Sequence, residues 1–98
     1  MGLPSNLPEN VLLLPSAEKD LARILKRHRE EFFRVWDDLK RLGAGTLPPQ
    51  GKKKLGSIDA FQFDSGRYRV VYSRREASYL IWAAFAKPDQ KNYLKRFR

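Results

Sequence analysis

Two arginines alternate with apolar and aromatic residues in the stretch Gly66-Arg67-Tyr68-Arg69-Val70-Val71-Tyr72. In an extended strand, that spacing puts Arg67 and Arg69 on one face. A guanidinium group is a planar fork that can grip two phosphate oxygens and stabilise charge growing on them. Upstream lies a lysine run, Lys52-Lys53-Lys54. Downstream, Lys87 follows directly on an apolar run, and Tyr93 stands among Lys91, Lys95, Arg96 and Arg98. A lysine at the end of a strand is held by a rigid element. A tyrosine surrounded by cations can serve as a general acid or base. RNA can be cut without a metal when its own 2′-hydroxyl attacks the neighbouring phosphate, given a base, an acid and cations. Arg, Lys and Tyr can fill all three roles. Taken singly, each arginine reads equally well as solvent-exposed, and Tyr93 as ordinary packing of a C-terminal helix.

Other chemistries lack their residues. One histidine, no cysteine and no clustered acids leave no transition-metal site, no disulfide and no cofactor to expect. His28 falls near a predicted helix end, where a capping or surface role suits it. Gly45 to Lys52 looks faintly like a phosphate loop, but the glycine spacing is wrong and Lys53 stands where Ser or Thr is required. No serine sits in a nucleophile elbow.

The charge agrees with a polyanionic partner. The net charge is +9, and it is unevenly spread. Residues 1–50 hold eight Lys/Arg against seven Asp/Glu; residues 51–98 hold twelve against four. A basic half joined to a balanced half points to nucleic acid or an acidic protein. The apolar run Val11 to Leu14 is too short to span a membrane, and nothing resembles a signal peptide, so the cytoplasm is the expected location.

These residues need elements to place them. Ninety-eight residues, 42% of them hydrophobic, suit a single domain over 1–98 with one modest core and no deep enclosed pocket. Residues 1–8 hold two prolines and no period, so they read as a loose leader. Asn10 to Leu14 reads as a short strand ended by Pro15. Ser16 is placed to cap a helix, with Glu18 and Asp20 at its positive end. Leu21, Ile24 and Leu25 make one apolar stripe; Phe32, Val35, Trp36, Leu39 and Leu42 make a second, ended by Gly43. The change of phase near Arg27 to Glu30 predicts two helices meeting in a tight turn, with one long bent helix as the alternative. Residues 43–57 are a loop by composition. Three antiparallel strands follow: Ile58 to Asp64, Arg67 to Ser73 after the turn Asp64-Ser65-Gly66-Arg67, and Tyr79 to Ala86 after Arg75-Glu76-Ala77-Ser78. The last is apolar throughout, as a central strand is. Pro88-Asp89 can open a short helix carrying Tyr93.

In this order the segments resemble the RelE/ParE superfamily of toxins from type II toxin–antitoxin pairs, over roughly residues 10 to 95. The resemblance rests on Leu14-Pro15-Ser16-Ala17-Glu18-Lys19-Asp20-Leu21, Lys54-Leu55-Gly56, Gly66 to Tyr72, and Phe85-Ala86-Lys87 with Tyr93. It implies an α+β fold, an N-terminal strand and a helical hairpin packed on a curved, mostly antiparallel sheet. It also implies a cognate acidic antitoxin that wraps the toxin into a hetero-oligomer. The RelE-like branch cleaves mRNA on the ribosome without a metal. By that resemblance Arg69 contacts the scissile phosphate, Tyr93 is the acid or base, and Lys87 is the basic residue ending the last strand. Lys52, Lys53, Lys54, Arg67 and Lys91 would bind RNA. The chain departs from the pattern at Gln62 and Asp64, where that branch often has lysines, and at Pro88, where an arginine is frequent. The resulting expectation is a metal-independent, ribosome-dependent mRNA endoribonuclease that inhibits translation. The alternatives are a ParE-like inhibitor of DNA gyrase and a catalytically inactive relative that binds RNA or the ribosome.

Overall fold

A computed structural model describes residues 2–47 and 60–94. Strand β1 (Val11–Leu13) leads into helices α1 (Pro15–Arg27) and α2 (Arg29–Ala44). Strands β2 (Phe61–Ser65), β3 (Tyr68–Arg75) and β4 (Ser78–Ala86) follow, then a 3₁₀ turn (Lys87–Asp89) and helix α3 (Gln90–Leu94). The sheet order is β1-β4-β3-β2. β1 runs parallel to β4, with Leu12 opposite Leu80, and the other pairs are antiparallel. This is the α+β architecture expected, with the apolar strand β4 in the interior of the sheet.

The helical hairpin breaks where the phase of the apolar stripe changes. His28 ends α1 and begins α2, with φ −141° and ψ 72°. Its N–H still reaches Ile24 O at 2.7 Å, and its carbonyl accepts from Phe32 N at 2.8 Å. One residue thus closes one helix and starts the next. The second stripe is buried as predicted: Phe32, Val35, Trp36, Leu39 and Leu42 are each at most 2% exposed. It meets Phe63, Tyr68, Val70 and Tyr72 of the sheet, with Ala17, Leu21 and Ile24 of α1 beside it. In the segment expected as a leader, Trp36 Nε1 donates to Asn6 Oδ1 at 2.6 Å, and Leu3 and Leu7 pack on the core.

Several local expectations are corrected. Gly43 does not end α2. It lies inside the helix, where an added Cβ would stand 2.7 Å from Val11 Cγ2 and 2.8 Å from Asn10 Oδ1. The glycine lets the helix touch β1, and Asn10 Nδ2 donates to Gly43 O at 2.9 Å. The stop is Gly45, whose φ of 75° is left-handed, with its N–H returned to the last turn. Pro15 opens α1 as well as closing β1. Ser16 is not the cap, since it lies within α1 and donates to Trp82 O at 2.6 Å. Asp20 is no dipole-facing surface acid. It is 1% exposed and accepts from Ala84 N at 3.1 Å.

The last two contacts have one physical reason. β1 pairs with β4 only as far as Ile81, whose carbonyl accepts from Leu14 N at 3.0 Å. Beyond that point the edge of β4 has lost its neighbouring strand. Buried backbone groups need partners, and Ser16 and Asp20 supply them from the first turns of α1. The register shift between Val71 and Tyr72 makes the same region a bulge, with Trp82 as the extra residue, its Nε1 donating to Ser73 Oγ of β3 at 2.8 Å.

Candidate nucleic-acid interface

The sheet has two unlike faces. Tyr68, Val70 and Tyr72 point to the helices and join the main core. Between them Arg69 points the other way, and it pairs across the strands with Asp64 and Phe85. On this second face Val71, Ala83 and Phe85 form a smaller buried cluster with Ala60, against which Trp82 and Tyr93 pack. The period of two in β3 therefore separates core-forming aromatics from the arginine.

Arg69 is held from two sides. Its Nε donates to Asp64 Oδ1 at 2.8 Å and its Nη2 to Asp64 Oδ2 at 3.4 Å. Its Nη1 donates to Gln90 Oε1. Lys87 Nζ lies 3.5 Å from Asp64 Oδ2. Asp64 thus stands between two cations, one from β3 and one from the end of β4. The hydrogen bond from Arg69 is the main cause that lowers the Asp64 carboxyl below its ordinary 3.8, against desolvation, which raises it. The Lys87 backbone N–H donates to Arg67 O at 3.1 Å, so the 3₁₀ turn is tied to the β2–β3 hairpin.

Tyr93 sits beside this cluster. Its ring stacks on Phe85 with centroids 4.8 Å apart and planes at 26°. Phe85 is the direct strand partner of Arg69, and Gln90 lies one turn before Tyr93 on α3. Arg69 and Tyr93 are thereby brought to the same region from positions 24 residues apart in the sequence. The Tyr93 hydroxyl accepts from Arg23 Nη1 at 2.9 Å. Arg23 in turn lies 3.7 Å from the buried carboxylate of Asp20.

Not every expected residue joins the site. Arg67 is not on β3 and does not share a face with Arg69. It occupies the two-residue hairpin loop with Gly66, whose φ of 60° suits the first position of a type II′ turn. Its Nε reaches Glu31 Oε1 at 2.9 Å, on the helical side. Burial and the nearby Glu31 charge raise the Tyr68 hydroxyl above its ordinary range there. Lys91 is exposed on α3. Lys52, Lys53 and Lys54 lie outside the described residues, as does the start of the strand expected from Ile58. Gln62 is 7% exposed and so is withdrawn from the surface. Asp64 is at the centre of the cation pair, where the family pattern suggested a lysine.

As site residues, sequence reasoning missed Arg23, Phe85 and Gln90, and it gave Asp64 a place in the strand and turn but, at the site, only that of a missing cation. The period of two could have flagged Phe85 and Asp64 as neighbours of Arg69, because all three lie on one face. Arg23 and Gln90 carry no such signal, since helix–sheet docking alone brings them in. Among the described residues no group of three His, Cys, Asp or Glu is arranged to hold a metal, and no helix is long and apolar enough to cross a membrane.

No family model matches the chain, and no curated protein does. The fold has solved counterparts. The structure of the YoeB–YefM complex from Staphylococcus aureus matches with a TM-score of 0.64 at 19% identity, covering 82% of this chain and 95% of the other. The RelBE2 toxin–antitoxin complex from Mycobacterium tuberculosis matches with a TM-score of 0.65 at 20% identity, covering 87% and 98%. A YoeB dimer from Staphylococcus aureus matches at 0.61 and 18%, covering 76% and 91%. The resemblance read from the sequence is met at the level of the fold.

Proposed function

We propose that this protein is the toxin of a toxin–antitoxin pair, and that it acts as a ribosome-dependent mRNA endoribonuclease in the cytoplasm. The observation that carries the reading is the convergence of Arg69, Lys87 and Tyr93 on the face of the sheet that the α1–α2 hairpin does not cover. Arg69 and Lys87 offer charge to a phosphate. Tyr93 offers a hydroxyl for proton transfer beside them. The RNA supplies its own nucleophile, the 2′-hydroxyl, and Lys91 and the lysines at 52–54 add affinity for the backbone. A phosphate entering this site competes with Asp64 for the Arg69 fork. The partner is an acidic antitoxin, as the fold's occurrence in toxin–antitoxin complexes supports.

The test is primer extension on translated mRNA after induction. Cleavage products that vanish in Arg69→Ala support the reading. Intact transcripts in growth-arrested cells overturn it. A second reading, an inactive relative that binds RNA or ribosome, draws on the Asp64–Arg69 pair, which occupies the arginine internally. It expects salt-sensitive RNA binding with neither cleavage nor growth arrest. The structural neighbours lend no support to the gyrase alternative.

A further inference from the structure

Arg27 of α1 has no part in the function proposed above, and Arg23 enters it only through the Tyr93 hydroxyl. Arg23 and Arg27 lie one turn apart, so they share a face of the helix. That face borders an open cleft of about 300 Å³ between α1, the end of β4 and α3. His28 and Tyr93 also line it, as do two carboxylates, Asp20 and Asp89. Asp20 is buried and accepts from Ala84 N. The exposed charged groups are therefore the two arginines against Asp89. Arg27 is exposed and makes no hydrogen bond or ion pair among the described residues.

Tyr93 links this cleft to the Arg69 cluster. Its ring stacks on Phe85, the strand partner of Arg69, and its hydroxyl meets Arg23. The two cation groups thus flank one aromatic pair, across the end of β4. A single-stranded polyanion that seats a phosphate on Arg69 meets Arg23 and Arg27 as it continues past Tyr93. Phe85 is buried, so the part-exposed Tyr93 ring is the one open to a base; an aromatic ring between cationic positions suits single strands, because bases stack on rings while the backbone follows the charge.

We infer that Arg23 and Arg27 form a second phosphate-binding subsite, which takes a nucleotide neighbouring the one held at Arg69. The inference rests on the RNA reading of the Arg69 site. Arg23, fixed between Asp20 and Tyr93, sets the inner wall. Arg27 is the uncommitted donor at the mouth.

The experiment is a fluorescence-anisotropy titration of the full chain with a labelled single-stranded RNA of about ten nucleotides, within the usual site size for such grooves, over a series of salt concentrations. Each phosphate contact contributes about 0.7 to the slope of log affinity against log salt for single strands. Arg27→Ala should lower the slope by about 0.7, and Arg27→Lys should restore much of it. Arg75→Ala, at the far end of β3, should leave it unchanged. Arg69→Ala should lower it independently, so that the double variant loses both contributions. A slope for Arg27→Ala equal to that of the parent overturns the subsite, as does an equal loss in Arg75→Ala, which would mark general charge only. In both cases a loss in Arg69→Ala leaves the Arg69 reading standing. An unchanged slope in Arg69→Ala overturns that reading and, with it, a subsite defined as its neighbour.

Discussion

Arg69 is a strand residue whose neighbours in sequence belong to the core and whose neighbours in space belong to the site. Its ion pair with Asp64 makes a specific pH prediction. The folded Asp64 carboxyl titrates below its ordinary 3.8. A depressed carboxylate contributes stability above its unfolded value and loses it as pH falls through the folded one. Thermal denaturation below pH 3.8 should therefore show a loss that Asp64→Asn lacks, whereas equal acid sensitivity in both proteins would count against the pair. Asp64 is partly exposed, so solvent screening keeps the effect modest. Tyr93→Phe is the complementary test. The ring can still stack on Phe85, but the hydroxyl is gone. If Tyr93 transfers a proton, cleavage of translated mRNA should fall by about 10²–10⁴-fold, a far larger change than any in RNA affinity, and full activity in Tyr93→Phe would remove it from the chemistry.

Elements are joined here by side chains that substitute for missing strand pairing. α1 takes over the edge of β4 where β1 stops, through Ser16 on Trp82 O and Asp20 on Ala84 N. Removing Asp20 strands a buried N–H and leaves Arg23 held, among the described residues, only by Tyr93. Asp20→Ala should cost about 1–3 kcal/mol, the usual penalty for an unsatisfied buried group, measured by urea denaturation. A change within experimental error would show that water or another group can satisfy Ala84. The contact of α2 with β1 is the other tight junction. Gly43→Ala would press a methyl onto Val11 and Asn10, and overpacking of this kind typically costs about 1–3 kcal/mol. The same denaturation series would check it. A neutral result would mean that β1 can shift.

At the scale of the whole molecule, the first and last described elements, β1 and α3, meet at β4. β1 covers its outer edge from Tyr79 to Ile81, and the 3₁₀ turn and α3 follow directly from its end. Truncation to Pro15 should expose the Tyr79 to Ile81 edge of β4, and unpaired edges promote association. The expected result is a shift to larger species in size-exclusion chromatography. A monomer with the parent's melting temperature would show β1 to be dispensable. The apolar periods made most of this architecture legible. The 3.6-residue stripes located both helices and a change of phase between Arg27 and Glu30, where the structure puts the break at His28. The period of two located the hairpin strands, and the unbroken apolar run marked β4 as interior. Helix ends were less legible, because Ser16 and Gly43 are residues of the capping type that tertiary contacts use for other purposes.

The sequence by itself determined the polarity of the molecule: a nearly balanced helical half, a basic sheet half, and an arginine set between core aromatics. Those follow from composition and from periods of two and 3.6, which are properties of the local backbone. Only the tertiary structure decided which cations stand together. The turn carried Arg67 away to Glu31, and cross-strand register put Asp64 between Arg69 and Lys87. Docking of α1 and α3 against the end of β4 brought Arg23 to Tyr93 across 70 residues of chain. Such contacts depend on register and packing between distant segments, and no local pattern encodes them.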